Sequence, residues 1–229
     1  MKRIELIERK NVLENYKIIA SEISKIQANL FDNVIYSEIE GRNEKLLYRN
    51  KFDAMEYKKY NINYDIKILT IEYNDIKTFS NKLYQKLQIL FDEINITEVF
   101  ILLDLKINFF ESLFNKYKPL VKTYKKLEKI IGKTYYDEAF YLPKLSEEIV
   151  DIIFWLVRCI PQMNYIMIFD KSEGYYLNIC QYGNIHLTGL TGNYISGDII
   201  ERIGFKNIEG REEDNFTNDG KINGRRIKV

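Results

Sequence analysis

Glycine is scarce through most of this chain: only Gly41 and Gly132 precede Gly174, and the remaining nine of the 11 glycines follow from there. Glycine supplies turns and bulges, so the scarcity excludes a turn-rich build for the first three quarters and places short strands and turns in the last. Cysteine is limited to Cys159 and Cys180, which excludes a disulfide framework; both sit in apolar patterns suited to buried thiols of a reducing compartment. Charge of one sign is not in excess, with 34 Lys and Arg against 33 Asp and Glu, so no global field selects nucleic acid or an anionic membrane. The longest apolar stretch, Ile149 to Ile160, is interrupted by Asp151 and Arg158 and stopped by Pro161, too short for a bilayer span. Met1-Lys2-Arg3-Ile4-Glu5 lacks the apolar run of a secretory signal. The expectation is a cytoplasmic protein with no membrane partner.

What the chain does contain is 46% apolar residues over 229 positions, ample for one sizeable core. Val12, Tyr16, Ile19, Ile23, Ile26 and Leu30 predict an amphipathic helix over about residues 10–29. Val34, Tyr36 and Glu38 read as the start of a strand, with a turn at Gly41-Arg42-Asn43-Glu44. Ile66 to Ile71 reads as a strand, Ile76 to Phe91 as a helix and Val99 to Leu103 as a second strand, an order that suggests a βαβ unit with parallel strands. An apolar stripe from Phe110 to Ile131 is interrupted at Pro119, so either the helix kinks or a second helix starts with Pro119 in its first turn. Ser146 can cap the next helix, with Glu147 and Glu148 in its first turn. Beyond Pro161 the period becomes two, predicting a three-stranded antiparallel meander over 165–169, 175–182 and 185–188, its second turn a two-residue Gly183-Asn184. Asp198 opens a short helix that Gly204 stops. The expected fold is α+β: a single domain over 1–205, helix-rich to about 160 and β-meander after it, with 206–229 a polar, loosely held tail.

Few residues suggest chemistry. His186 is the only histidine; the expected turn sets it opposite Gln181 and puts Cys180 on the other sheet face, so neither zinc nor a thiol–imidazole pair assembles. Asp75 and Asp104 both follow strands of the βαβ unit, where carboxylates can hold Mg²⁺ for phosphoester or nucleotide chemistry beside Lys106; helix capping is the competing reading. The Gly189–Gly192 loop offers amides to a phosphate but matches no nucleotide-binding pattern. Asp214 to Gly220 fails the calcium-loop spacing. Lys116, Lys118, Lys122, Lys125, Lys126, Lys129 and Lys133 crowd one segment, and interleaved Tyr117 and Tyr124 could add stacking to a nucleic-acid backbone site. Both tyrosines, however, lie on the apolar stripe and are expected to face inward, which makes the lysines a solvated face, with an acidic protein as the next reading. No catalytic residue, metal or cofactor is expected.

The helix near 146–160 carries the strongest clue. At 100° per residue, Glu147, Glu148, Asp151, Trp155 and Arg158 share one side, opposite a face of Ile149, Ile152, Ile153, Leu156 and Ile160. The only tryptophan thus lies on a polar stripe, and Trp and Arg are the residue types most enriched at binding hot spots. The stretch Phe154-Trp155-Leu156-Val157-Arg158-Cys159-Ile160-Pro161, followed by IFDKSEGYYLNICQYGNIHL at 168–187, resembles the C-terminal parts of bacterial toxin-immunity proteins. That resemblance implies a small, cytosolic, catalytically inert inhibitor that neutralises a toxin or effector by binding it; it transfers no residue roles. The resulting expectation is a protein-binding inhibitor using Trp155, Arg158, Asp151, Glu148 and Glu147, with a Mg-dependent enzyme and a nucleic-acid-binding subunit as alternatives.

Overall fold

The computed structural model describes residues 4–36, 50–53, 60, 62–72, 76–111, 116–160, 163 and 165–209. Along the chain run β1 (Glu5–Ile7), α1 (Arg9–Asn15), α2 (Lys17–Tyr36), β2 (Asp65–Thr70), α3 (Ile76–Glu93), β3 (Val99–Leu103), α4 (Lys118–Ile131), β4 (Ala139–Leu142), α5 (Glu147–Cys159), β5 (Ile166–Asp170), β6 (Tyr175–Ile179), β7 (Ile185–Gly189), α6 (Gly197–Ile203) and β8 (Lys206–Asn207). The strands make one sheet in the order β1-β4-β3-β5-β6-β7-β2-β8, and every neighbouring pair is antiparallel. The fold class is α+β.

The uninterrupted apolar runs follow from burial on both faces. In β3 every residue is buried: Val99, Ile101 and Leu103 join one core, Phe100 and Leu102 the other. β5 divides likewise, Ile166 and Ile168 against Met167 and Phe169. The first core is closed by α3, α4, α5 and α6, the second by α1 and α2. Each fully buried Leu, Ile or Phe contributes about 1.5–3 kcal/mol. α5, rich in β-branched residues, therefore owes its helix to packing more than to propensity. Phe154 lies 4.8 Å from Phe79 of α3, ring centre to ring centre, and Ser146 caps the helix by accepting from the Ile149 amide.

Two continuous runs therefore did not mean adjacent parallel strands. Four antiparallel steps, β2 to β7 to β6 to β5 to β3, leave β2 and β3 pointing the same way with three strands between them. The βαβ unit expected from the sequence spans the meander instead of pairing its own strands. The predicted helix over 10–29 is divided at Tyr16, where φ is −109° and ψ 84°. There the Tyr16 ring drops onto Phe100, 4.6 Å away, and meets Phe169 at 5.5 Å. Glu173, from the β5–β6 turn, then accepts the Ile19 amide at 2.8 Å and caps the new helix from 154 residues away. That helix extends through Tyr36, so Val34 and Tyr36 are helical where a strand was expected; Gly41 to Glu44 lie outside the described residues. α4 starts at Lys118 with Pro119 in its first turn.

The β6–β7 connection departs from a two-residue turn. Cys180 donates to Asn184 O, Gly183 donates to Cys180 O, and Gly183 takes φ 82°, a three-residue loop closed by a left-handed glycine. The register is thereby shifted by an odd number: His186 faces Asn178, not Gln181, and Cys180 falls on the same sheet face as His186. Ser196, not Asp198, caps α6 through the Ile199 amide, and Gly204 ends it at φ 88°. Lys206 and Asn207 pair with Thr70 and Leu69, so the sheet continues past the boundary drawn at 205; residues 210–229 lie outside the described part.

Candidate functional site

Three helices build the depression that holds most of the residues singled out from the sequence. α5 lies between α4 and α3 and antiparallel to both. Lys126 of α4 meets Asp151 at 2.6 Å, and Ser80 of α3 donates to the same carboxylate at 2.8 Å. Tyr84, one turn beyond Ser80, and Ile130, one turn beyond Lys126, both border the N-terminal end of α5. The outward ridge of α5 is consequently the floor of a groove of about 750 Å³. Glu147, Asp151 and Trp155, four residues apart, run along that floor, and Lys118, Lys122 and Lys126 form one wall. Trp155 is half-buried, its ring 5.3 Å from Phe154 at 60°, which fixes the indole edge-on against the core. Beyond Ser146 and Glu148 the groove continues into a more apolar hollow of about 560 Å³ bounded by Ile4, Leu142, Pro143 and Leu145.

The structure brings Glu147, Glu148, Asp151 and Trp155 together in this groove. Arg158 is not with them. It is 2% exposed and turns away from the groove, donating through Nη1 to Gln181 O at 2.7 Å. The expectation of an exposed Trp155–Arg158 pair is overturned because the β6–β7 loop presents a carbonyl within the guanidinium's reach. Of the two tyrosines expected to face inward, Tyr124 does, at 5% exposed and packed on Phe110, but Tyr117 is 40% exposed because it precedes the first turn of α4 and so leaves the helical stripe. The lysine face therefore does not carry a row of exposed rings. Ser80, which orients Asp151, was missed; a serine inside an amphipathic helix carries no distinguishing signal.

A second polar cluster lies at the carboxyl end of β3, and the sequence did not indicate its members Arg9, Gln27 and Asp53. Arg9, 2% exposed, clamps Asp53 with Nε to Oδ1 at 3.0 Å and Nη2 to Oδ2 at 2.8 Å. The same guanidinium reaches the carbonyls of Leu103 and Asp104. Gln27 donates to Asp53 Oδ2 at 2.7 Å and to Asp104 O at 2.6 Å. This fork satisfies strand-end carbonyls that neither water nor the sheet can reach. Asp104 does not cap a helix: a loop follows it, and its carboxyl is buried with Oδ1 lacking a hydrogen-bond partner. Burial pushes the Asp104 carboxyl up to about 6, with the Arg9 charge and the Leu105 amide pulling the other way. Asp75 lies outside the described residues. The ends of β2 and β3 are four strand spacings apart, about 19 Å.

The raised Asp104 carboxyl sets a pH dependence. The folded state holds the proton up to about pH 6 while the unfolded chain releases it near 3.8, so the stabilisation is complete below pH 4 and is lost as pH rises through 6. The expected loss is about 2–3 kcal/mol, and Asp104→Asn should flatten stability across that window. Urea midpoints at pH 4.5 and 7.5 check this; an unchanged slope in the variant contradicts it.

His186 lies on β7 between Ile68 and Asn178. Among the described residues no trio of His, Cys, Asp or Glu is placed to hold a metal ion. The Gly189–Gly192 loop is a tight turn tied to the β5–β6 turn and to its own end: Leu190 donates to Gly174 O, and the Asn193 amide and side chain both donate to Leu190 O. No helix among the described residues is long and apolar enough to cross a membrane. No protein-family model, curated protein or solved structure matches this chain.

Proposed function

We propose that this chain is a non-catalytic, protein-binding inhibitor of the immunity type, acting in the cytoplasm and neutralising a toxin or effector by seating it over the Trp155 groove. The observation that carries the reading is the position of the only tryptophan: half-buried on a groove floor, anchored by Phe154, with charged groups from two helices around it. A rigid aromatic in a concave, partly charged setting is the usual chemistry of a binding hot spot. The rival reading, a Mg-dependent phosphoester- or nucleotide-acting enzyme using Asp75 and Asp104, draws among the described residues on the buried, incompletely partnered Asp104 carboxyl. Arg9 and Gln27 occupy the space around that residue's own carbonyl. Hydrolysis of phosphoesters by the pure protein, abolished in Asp104→Ala, would overturn the binding reading.

The test is site-specific crosslinking in the native host. A photoreactive side chain at Lys122 should trap one discrete protein, and the same group at Lys10, on the opposite face of the sheet, should not. Equal adducts from both positions, or none from Lys122, contradict the proposal.

A further inference from the structure

The groove around Trp155 is electrically two-ended. At one end stand Lys118 and Lys122, both exposed and in no ion pair among the described residues. At the other end stand Glu147 and Glu148 in the first turn of α5, equally without an ion pair among the described residues. Lys129 and Lys144 line the adjoining hollow with Glu148, so Glu147 is the acidic group farther from these two cations. Between them Asp151 is consumed by Lys126 and Ser80 and contributes no net charge. Eight residues of helix separate Glu147 from Trp155, about 12 Å. Charges a Debye length apart, about 10 Å at 0.1 M salt, act on a ligand as separate poles.

We propose that the groove binds a protein segment of matching polarity: carboxylates at the Lys118–Lys122 end, over the indole of Trp155, and a basic residue about 12 Å further along, at Glu147 and Glu148. This rests on the protein-binding reading above and adds the chemistry of the element that docks. A bipolar segment satisfies both ends. A nucleic acid, with one negative charge per nucleotide, would place phosphates against Glu147 and Glu148, and a purely acidic peptide has the same defect. Of the two tyrosines in the lysine segment only Tyr117 is exposed enough to stack on a base, since Tyr124 is buried.

Because Trp155 is the only tryptophan, its fluorescence reports on the groove alone. The probes are a peptide with a block of glutamates, a four-serine spacer and a block of lysines, a peptide of the same composition with the charges alternating, and oligo(dT). The spacer, when extended, covers about 13 Å. The block peptide should give a saturable change in Trp155 emission at low salt and bind about tenfold more tightly than the alternating peptide or oligo(dT). Lys118→Gln/Lys122→Gln and Glu147→Gln/Glu148→Gln, each confirmed as folded by circular dichroism, should each remove most of that preference. Oligo(dT) binding as tightly as the block peptide would make this a nucleic-acid face, and no response to the block peptide, or no preference over the alternating one, would overturn the proposal. A crosslinked protein partner whose affinity is lost in Trp155→Ala but unchanged in both charge variants would retain the binding reading and reject this inference.

Discussion

Replacing Arg9 with methionine is expected to cost about 3–5 kcal/mol of stability, because it strands a buried carboxylate. Asp53 is only 6% exposed in its side chain, and its remaining partners would be the Gln27 amide and Lys106 at 4.0 Å. The same change removes the Arg9 donor from Leu103 O and from Asp104 O, both buried at the end of β3, and leaves Gln27 alone on the latter. Arg9→Lys should recover only part of the loss: an ammonium restores the charge but not the planar fork that serves a carboxylate and two carbonyls together. Adding Asp53→Leu to Arg9→Met should return a further share, since removing both charges deletes the desolvation cost that one leaves behind. Urea denaturation of the three variants checks the order. A loss below about 1 kcal/mol for Arg9→Met would mean that water reaches the cluster and the clamp is dispensable.

The second large effect is expected at Gly189. A Cβ built on this residue would stand 2.2 Å from the backbone oxygen of Asn193, well inside any permitted contact. Asn193 cannot retreat freely, because its amide and side chain are both bonded to Leu190 O. Nor can β7 move, with Gly189 in register with Asp65 on one side and Tyr175 on the other. Gly189→Ala should therefore cost at least about 3 kcal/mol, through displacement of the 190–193 turn. Gly192 makes the control: its φ of 84° disfavours a side chain, yet a Cβ there meets nothing within 4 Å, so Gly192→Ala should cost only about 1 kcal/mol. Thermal denaturation of the two variants distinguishes a steric role from a conformational one.

Local signals were enough for α5: the buried face through Ile149, Ile152, Ile153 and Leu156 and the stripe Glu147–Asp151–Trp155 follow from a 100° repeat, and the cap at Ser146 from a hydroxyl residue placed just before it. Arg158 escapes that logic, because its burial depends on a carbonyl offered by a loop 23 residues away. The same limit applies to Tyr16, whose local pattern continues a helix while two core rings pull it out of one. At Gly183-Asn184 the local chemistry fits a two-residue turn and a three-residue loop equally; the difference reverses which face His186 shares with Cys180. The Arg9 cluster was illegible for a plainer reason. Its members lie up to 95 residues apart, and no spacing marks an arginine that will be buried. The lysine wall was visible as a run, but its apposition to Glu147 and Trp155 depends on how α4 packs against α5.

The central claim is that Trp155 belongs to a binding surface more than to the core. Half-buried and resting on Phe154, it should cost about 1–2 kcal/mol of folding stability when replaced by alanine, between the values for a surface and a core aromatic. The most direct measurement is the affinity of the Lys122-crosslinked partner, once purified, for wild type and for Trp155→Ala at a temperature where both are folded. A loss of about 2 kcal/mol or more in binding, roughly thirtyfold in Kd, is the expected result. Unchanged affinity accompanied by a stability loss of about 3–5 kcal/mol would contradict the account and make Trp155 a core residue.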